Sequence, residues 1–259
     1  MNITKESGNI FNPKFSDFKH VRIALFLFVM FILSLTCIYY VSALPASPAI
    51  TYVSNSTAVV TSANRSTDVK GTITVLTMSV NQQDYKWKAY VGNIRGGLAL
   101  DDANAKSIYD WTMASVTGQI YATRSSSVSW TNVSCVNDSI VTAEQGSLGM
   151  ISTDRDNINN TFNYTIHKSF FVATKNISNS TCKSTATYIN DTAQTISTSA
   201  KFQEILLRDE ISSSLIYTGL IDDNAPAYDG KSTYDFQIIV AENESATVPT
   251  MYYFYAELK

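Results

Sequence analysis

Nineteen consecutive residues, Ile23–Val41, read IALFLFVMFILSLTCIYYV without a charge, and no other feature constrains the chain so tightly. As a helix rising ~1.5 Å per residue, the run spans roughly the hydrocarbon thickness of a bilayer. Lys5, Lys14, Lys19 and Arg22 precede it, and the next basic residue is Arg65. The positive-inside bias therefore sets residues 1–22 in the cytoplasm and everything after Ser42 outside. The expected organisation is a cytoplasmic segment 1–22, a membrane anchor 23–41, an extracellular stalk 42–70 and an ectodomain 71–259. Val41-Ser42-Ala43 also carries the small-residue pattern of a signal-peptidase site, so secretion after cleavage near Ala43 is the alternative. The run exceeds the ~7–15 residues of a signal h-region and follows a long polar leader, which favours the uncleaved anchor.

Beyond the run, the chain keeps 15 of its 19 basic and 20 of its 22 acidic residues, a net of −5. That balance argues against a nucleic-acid surface. With 45% hydrophobic and 16% charged residues overall, the chain can fill a core and has no charged disordered tail.

The residues after the stalk read as short strands. Thr72–Val80 alternates β-branched residues but slips phase at Val75-Leu76, as a bulged strand would. Tyr85, Trp87, Ala89 and Val91 share one parity against Lys86 and Lys88, the mark of a half-buried strand. Gly92-Asn93 and Gly96-Gly97 then suggest a tight hairpin leading into Leu98 and Leu100. Further strands are expected at 108–111, 116–124, 164–174, 185–189, 201–207, 214–221, 234–240 and 250–258. Between Ser125 and Asn157 the chain is polar and aperiodic, a long loop with a short helix near 139–148. The last strand, Met251–Ala256, is apolar or aromatic on both faces and is expected in the middle of a sheet. Short strands with turn signals and no long helices indicate an all-β, mostly antiparallel β-sandwich or jelly roll, with a barrel as the alternative. No fixed-period repeat appears.

Outside the apolar run, which holds Cys37, the only cysteines are Cys135 and Cys182. An even pair in an extracellular segment predicts one disulfide, whose loop of nearly fifty residues would contribute roughly 3–4 kcal/mol on the chain-entropy model. Around it the N-x-[ST] glycan-acceptor pattern is dense. It occurs at Asn55, Asn64, Asn132, Asn137, Asn159, Asn163, Asn176, Asn179, Asn190 and Asn243. Chance would give about half as many.

Residues with chemistry are sparse. The only histidines are His20, on the cytoplasmic side, and His167. No nucleophile elbow, zinc-protease or phosphate-loop pattern occurs, so the reading is a non-enzyme without a cofactor. Paired carboxylates on neighbouring strands, which need a separation of about 5–9.5 Å, leave a glycoside hydrolase as an alternative. Asp222, Asp223 and Asp229, with Asn224, offer the hard oxygens calcium prefers, without EF-hand spacing. The same Asp, Asn, Pro and Gly residues also make ordinary solvated turns, the stronger reading. Trp87 and Trp111 are expected to pack in the core, and Trp130, in the polar loop, to be exposed.

Trp87–Ile94, Gly96–Ala103, Ile108–Trp111, Gly118–Arg124 and the closing Phe236–Val240 and Tyr252–Tyr255 together resemble a family of archaeal membrane-anchored surface proteins. The resemblance implies location and a β-rich ectodomain and carries over no catalytic residue. It points to a glycoprotein with a structural, adhesive or binding role at the cell envelope, contacting envelope proteins or glycans. A pilus-like filament subunit is the neighbouring idea, although Lys19–Arg22 offers no prepilin cleavage site.

Overall fold

The computed structural model describes residues 44–59 and 68–259. The run 23–41, Cys37 and Asn64 lie outside the described residues. Among the described residues no helix is long and apolar enough to cross a membrane.

The frame is one antiparallel sheet whose strands are apolar on both faces. Its strands, in spatial order, are β14 (Tyr253–Leu258), β4 (Gly118–Thr123), β10 (Leu215–Leu220) and β9 (Gln203–Asp209). The far edge of β9 is shared end to end by β5 (Val133–Cys135) and β8 (Ser184–Ala186). Register fixes what each face holds, because side chains alternate along a strand. Phe254, Ala122, Tyr217 and Leu206 form one row and point to one layer. Tyr255, Tyr121 and Ile205 point to the other.

The first face is covered by a two-stranded sheet, β1 (Trp87–Gly92) against β13 (Phe236–Ala241), and by the helices α1 (Asp138–Ser147) and α2 (Ile158–Thr161). The second is covered by the hairpin β6 (Phe170–Val172) and β7 (Lys175–Ile177) and by the 3-10 turn Trp130–Asn132. Two smaller pairs complete the chain: β2 (Leu98–Asp101) with β3 (Ser107–Trp111), and β11 (Ala225–Pro226) with β12 (Thr233–Tyr234). The fold is therefore all-β and antiparallel, as expected from the strand periods.

Local chemistry explains the one full helix. The Asn137 side chain caps α1 by accepting from the Ile140 N–H at 3.0 Å, and Asp138 places a carboxylate in the first turn. Gly149, at φ +74°, ends it. The Gln145 side chain then accepts from the Asn159 N–H, tying α1 to α2.

Several expectations are overturned. Thr72–Val80 forms no strand: it is exposed throughout, and among the described residues no strand lies alongside to complete its hydrogen bonds. The hairpin read at Gly92–Leu100 is absent, since Asp235 captures the chain after β1. Its N–H donates to the Gly92 carbonyl and its carboxylate accepts from Ile94, so β1 pairs with β13 instead. The final strand is not central. Its two apolar faces pack against layers above and below, but β14 is the edge, paired on its outer side, among the described residues, by the single bridge to Ala46. Trp130 is buried between Tyr121 and Tyr255, whereas Trp111 is half exposed on the β2–β3 hairpin.

The join of β4 to β14 sets a strict demand at Gly118. Its φ is +133°, and a Cβ there would lie 1.9 Å from the Glu257 carbonyl oxygen. Gly118→Ala is expected to lower unfolding free energy by about 2–4 kcal/mol in denaturant titration. Gly146→Ala, with nothing within 4 Å of the new methyl in α1, should instead be neutral or stabilising by up to about 1 kcal/mol.

Candidate functional site

The residues expected to carry chemistry are held by the fold for other purposes. Asp222 is buried and accepts from the Phe202 N–H at 2.7 Å and from Lys201 Nζ at 3.3 Å. Asp223 meets the Val116 N–H at 3.4 Å. Asp229 closes the β11–β12 turn, accepting from the N–H groups of Lys231 and Ser232 and from the Ser232 hydroxyl, bonds that lower its carboxyl pKa. The three carboxylates thus serve three separate loops. Among the described residues no group of three or more His, Cys, Asp or Glu side chains is arranged to hold a metal ion.

His167 anchors the disulfide region. Its Nε2 accepts from the N–H groups of Thr181 and Cys182 at 3.1 and 3.0 Å, so the ring proton sits on Nδ1 and is donated to the Lys168 carbonyl. Burial holds its pKa below the usual value, against that carbonyl's opposing pull. The cysteine it positions is joined to Cys135, with the two Cα atoms 4.9 Å apart. The bridge sits where β5 ends and β8 is about to begin, so it staples together the two short strands that share one edge of β9.

The buried carboxylates do not converge. Glu204 accepts from the Ile239 N–H and faces the β1–β13 layer. Burial pushes its carboxyl well above the usual range. Glu257, near the end of β14, faces the opposite layer, where it accepts from the Tyr121 hydroxyl and the Ala173 N–H and lies 3.3 Å from Lys259 Nζ. A sheet separates the two, which removes them as an acid–base pair across one glycosidic bond. Lys86, bridging Asp154 and Asp156 at 3.0 and 3.1 Å, is pushed up to about 12, and it pins β1 to the loop before α2. Glu242 is pulled down to about 2: burial opposes ionisation, but Lys88 and the Thr250 hydroxyl and N–H outweigh it.

No family model, curated protein or solved structure matches the chain. What distinguishes the molecule is surface. Of the acceptor asparagines, Asn55, Asn137, Asn163, Asn176, Asn179 and Asn190 are exposed, while Asn132, Asn159 and Asn243 are half-buried. The Asn132 amide nitrogen donates to Ser129 Oγ, and Asn159 Oδ1 is enclosed. Apolar side chains crowd elsewhere: Ile73, Val75, Met78 and Val80 on the segment before β1, and Ile108, Tyr109 and Trp111 on the β2–β3 hairpin. An open cleft of about 470 Å³, lined by Leu98, Trp111, Met113 and Lys259, joins that hairpin to the end of β14. Sequence reading marked the sequons but missed the edge, whose only signal was an unusually aromatic last strand.

Glu204 gives a pH test. Its native carboxyl is kept protonated well above the unfolded value, so the native state binds the extra proton and stability falls as pH rises past ~4.5. Glu204→Gln keeps an acceptor for Ile239 and cannot ionise. It is expected to raise Tm by an amount that grows from pH 5 to pH 8 and vanishes near pH 4, read by thermal melts across that range.

Proposed function

We propose that the chain is a membrane-anchored extracellular glycoprotein with a structural or adhesive role at the cell envelope. In this reading residues 23–41 hold it in the membrane with 1–22 in the cytoplasm, 42–70 form the stalk, and 71–259 are a β-sandwich ectodomain. The observation that carries it is the division of labour on the domain. Ionisable groups with altered acidity are engaged in holding loops and layers, while exposed acceptor asparagines concentrate around the disulfide-closed region from Asn137 to Asn190. The disulfide suits an oxidising compartment. Resemblance to archaeal membrane-anchored surface proteins points the same way.

Intact-mass analysis of the protein from its native membrane, with and without deglycosylation and reductant, tests the reading. The expected mass retains residues 1–43, carries glycans and gains two hydrogens on reduction. Glycopeptides should map to exposed Asn163, Asn176, Asn179 and Asn190, and Asn132 and Asn159 should be bare. A bare mass beginning at Leu44 would sink both the anchor and the glycan assignments.

A further inference from the structure

Two incomplete elements of this fold answer each other. Ala256 turns its N–H and C=O away from β4 to exchange bonds of 2.8 and 2.9 Å with Ala46. In an antiparallel ladder the backbone groups of Phe254 and Leu258 must then face the same outer edge. Neither has a backbone partner there among the described residues. Pro48, at the position that would meet Phe254, has no N–H to give, so the bridge at Ala46 cannot lengthen into a strand on that side.

The segment Thr72–Val80 has the opposite lack. It carries β-branched and apolar residues in alternation, is exposed throughout, and pairs with no strand among the described residues. Ile73 is 98% exposed, Val75 91%, and Met78 and Val80 85% each. Water gains nothing from such a row, and burying these side chains would be favourable.

We propose that residues 72–80 of one copy add as a strand to the β14 edge of a second copy. The edge supplies main-chain bonds, and the faces beside it supply apolar contacts: Phe254 and Tyr252 on one side, Tyr253 and Tyr255 on the other. Leu98 and Trp111, beside Lys259, extend that floor past the end of β14. Donor and acceptor are different surfaces, so the contact is heterologous and repeats from copy to copy. The inference deepens the structural role proposed above and rests on it only for the display of many copies on one membrane.

The test uses full-length protein from its membrane in a Cys37→Ser background. Tyr253→Cys is combined in turn with Ile73→Cys, Val75→Cys, Leu76→Cys, Met78→Cys or Val80→Cys, with each single variant as control. Strand addition gives disulfide-linked dimers, trimers and higher species on non-reducing gels only when both cysteines are present, strongest at donor positions of one parity on each side of the Val75-Leu76 slip. Cross-links confined to single chains, or none above the controls, would overturn it. In parallel, Val75→Lys with Met78→Lys, both on exposed side chains, should abolish assembly in sedimentation while leaving near-UV circular dichroism unchanged; assembly that survives rules strand addition out. The two proposals fail separately. A cleaved, bare chain that still forms the ladder loses only the anchored-glycoprotein reading, and an anchored, glycosylated chain without the ladder loses only strand addition.

Discussion

The ladder of β4, β10 and β9 is the constraint on which the rest depends, because it is buried on both faces. A sheet with one wet face can alternate apolar with polar residues; this one cannot. Ile205, Leu206 and Leu207 are consecutive and all fully buried, and so are Tyr121 and Ala122. Every residue of these strands therefore has to fit a layer. Size is balanced along the rows: Ala122 lies between Phe254 and Tyr217, and Gly219 leaves room for Ile238 of the layer above, 3.7 Å from where its Cβ would be. Truncating Leu206 or Ile205 would cost about 2–5 kcal/mol each by leaving holes that neither layer can close.

Covering a sheet on both sides forces long connections over the surface, and those connections are where the carboxylates went. Each loop that leaves a layer exposes backbone N–H groups that a dry neighbour cannot satisfy. Asp222 takes the Phe202 N–H, Asp235 takes those of Ile94 and Asn224, and Asp209 takes those of Ser129 and Ile211. Phe202 and Asn224 sit at positive φ, at 47° and 49°, in conformations that these bonds help to hold. An Asp-rich loop can thus look like a cation site in sequence while each carboxylate is already committed to a different segment of backbone. Among the buried side-chain atoms left without a hydrogen bond, the Tyr217 hydroxyl and Thr218 Oγ1 lie on the central strand β10.

This separates what was legible in the sequence from what was not. Period-2 alternation located β1, and short apolar or β-branched runs between turn signals located β3, β4, β9, β10 and β13 to within a few residues. The disulfide was legible because two cysteines allow one pairing. Pairing order was not, since nothing local in Trp87–Gly92 says that its neighbour is Phe236–Ala241, some 145 residues away, rather than Leu98. Trp130 was misjudged for the same reason: the polarity of its flanks describes the loop, whereas its burial is decided by Tyr121 and Tyr255 arriving from distant strands. The candidate contact surface was half legible. Thr72–Val80 was read as a bulged strand and forms none, because sequence carries no mark for the absence of a partner.

The aromatic terminal strand sharpens that last point. Apolarity on both faces reports layers above and below a strand and is silent about its neighbours in the plane, so a central strand and an edge strand of a three-layer arrangement have the same sequence signature. The distinction matters physically. An edge that is long, flat and apolar is a template for pairing with another chain, and folded proteins ordinarily blunt such edges with charge, proline or cover. Here the cover among the described residues is a single bridge to Ala46, between Pro45 and Pro48, and charge on the strand and just past it is limited to Glu257, which is buried, and Lys259. Prolines on the covering segment limit how much of the edge the chain can close for itself, while leaving the backbone of β14 able to accept a better strand. A β-prone segment of the same chain, unpaired and exposed a few residues before β1, has the composition to be that strand. Protection of this edge and use of it are then one arrangement: a weak internal cover that holds until a neighbouring copy supplies the longer ladder.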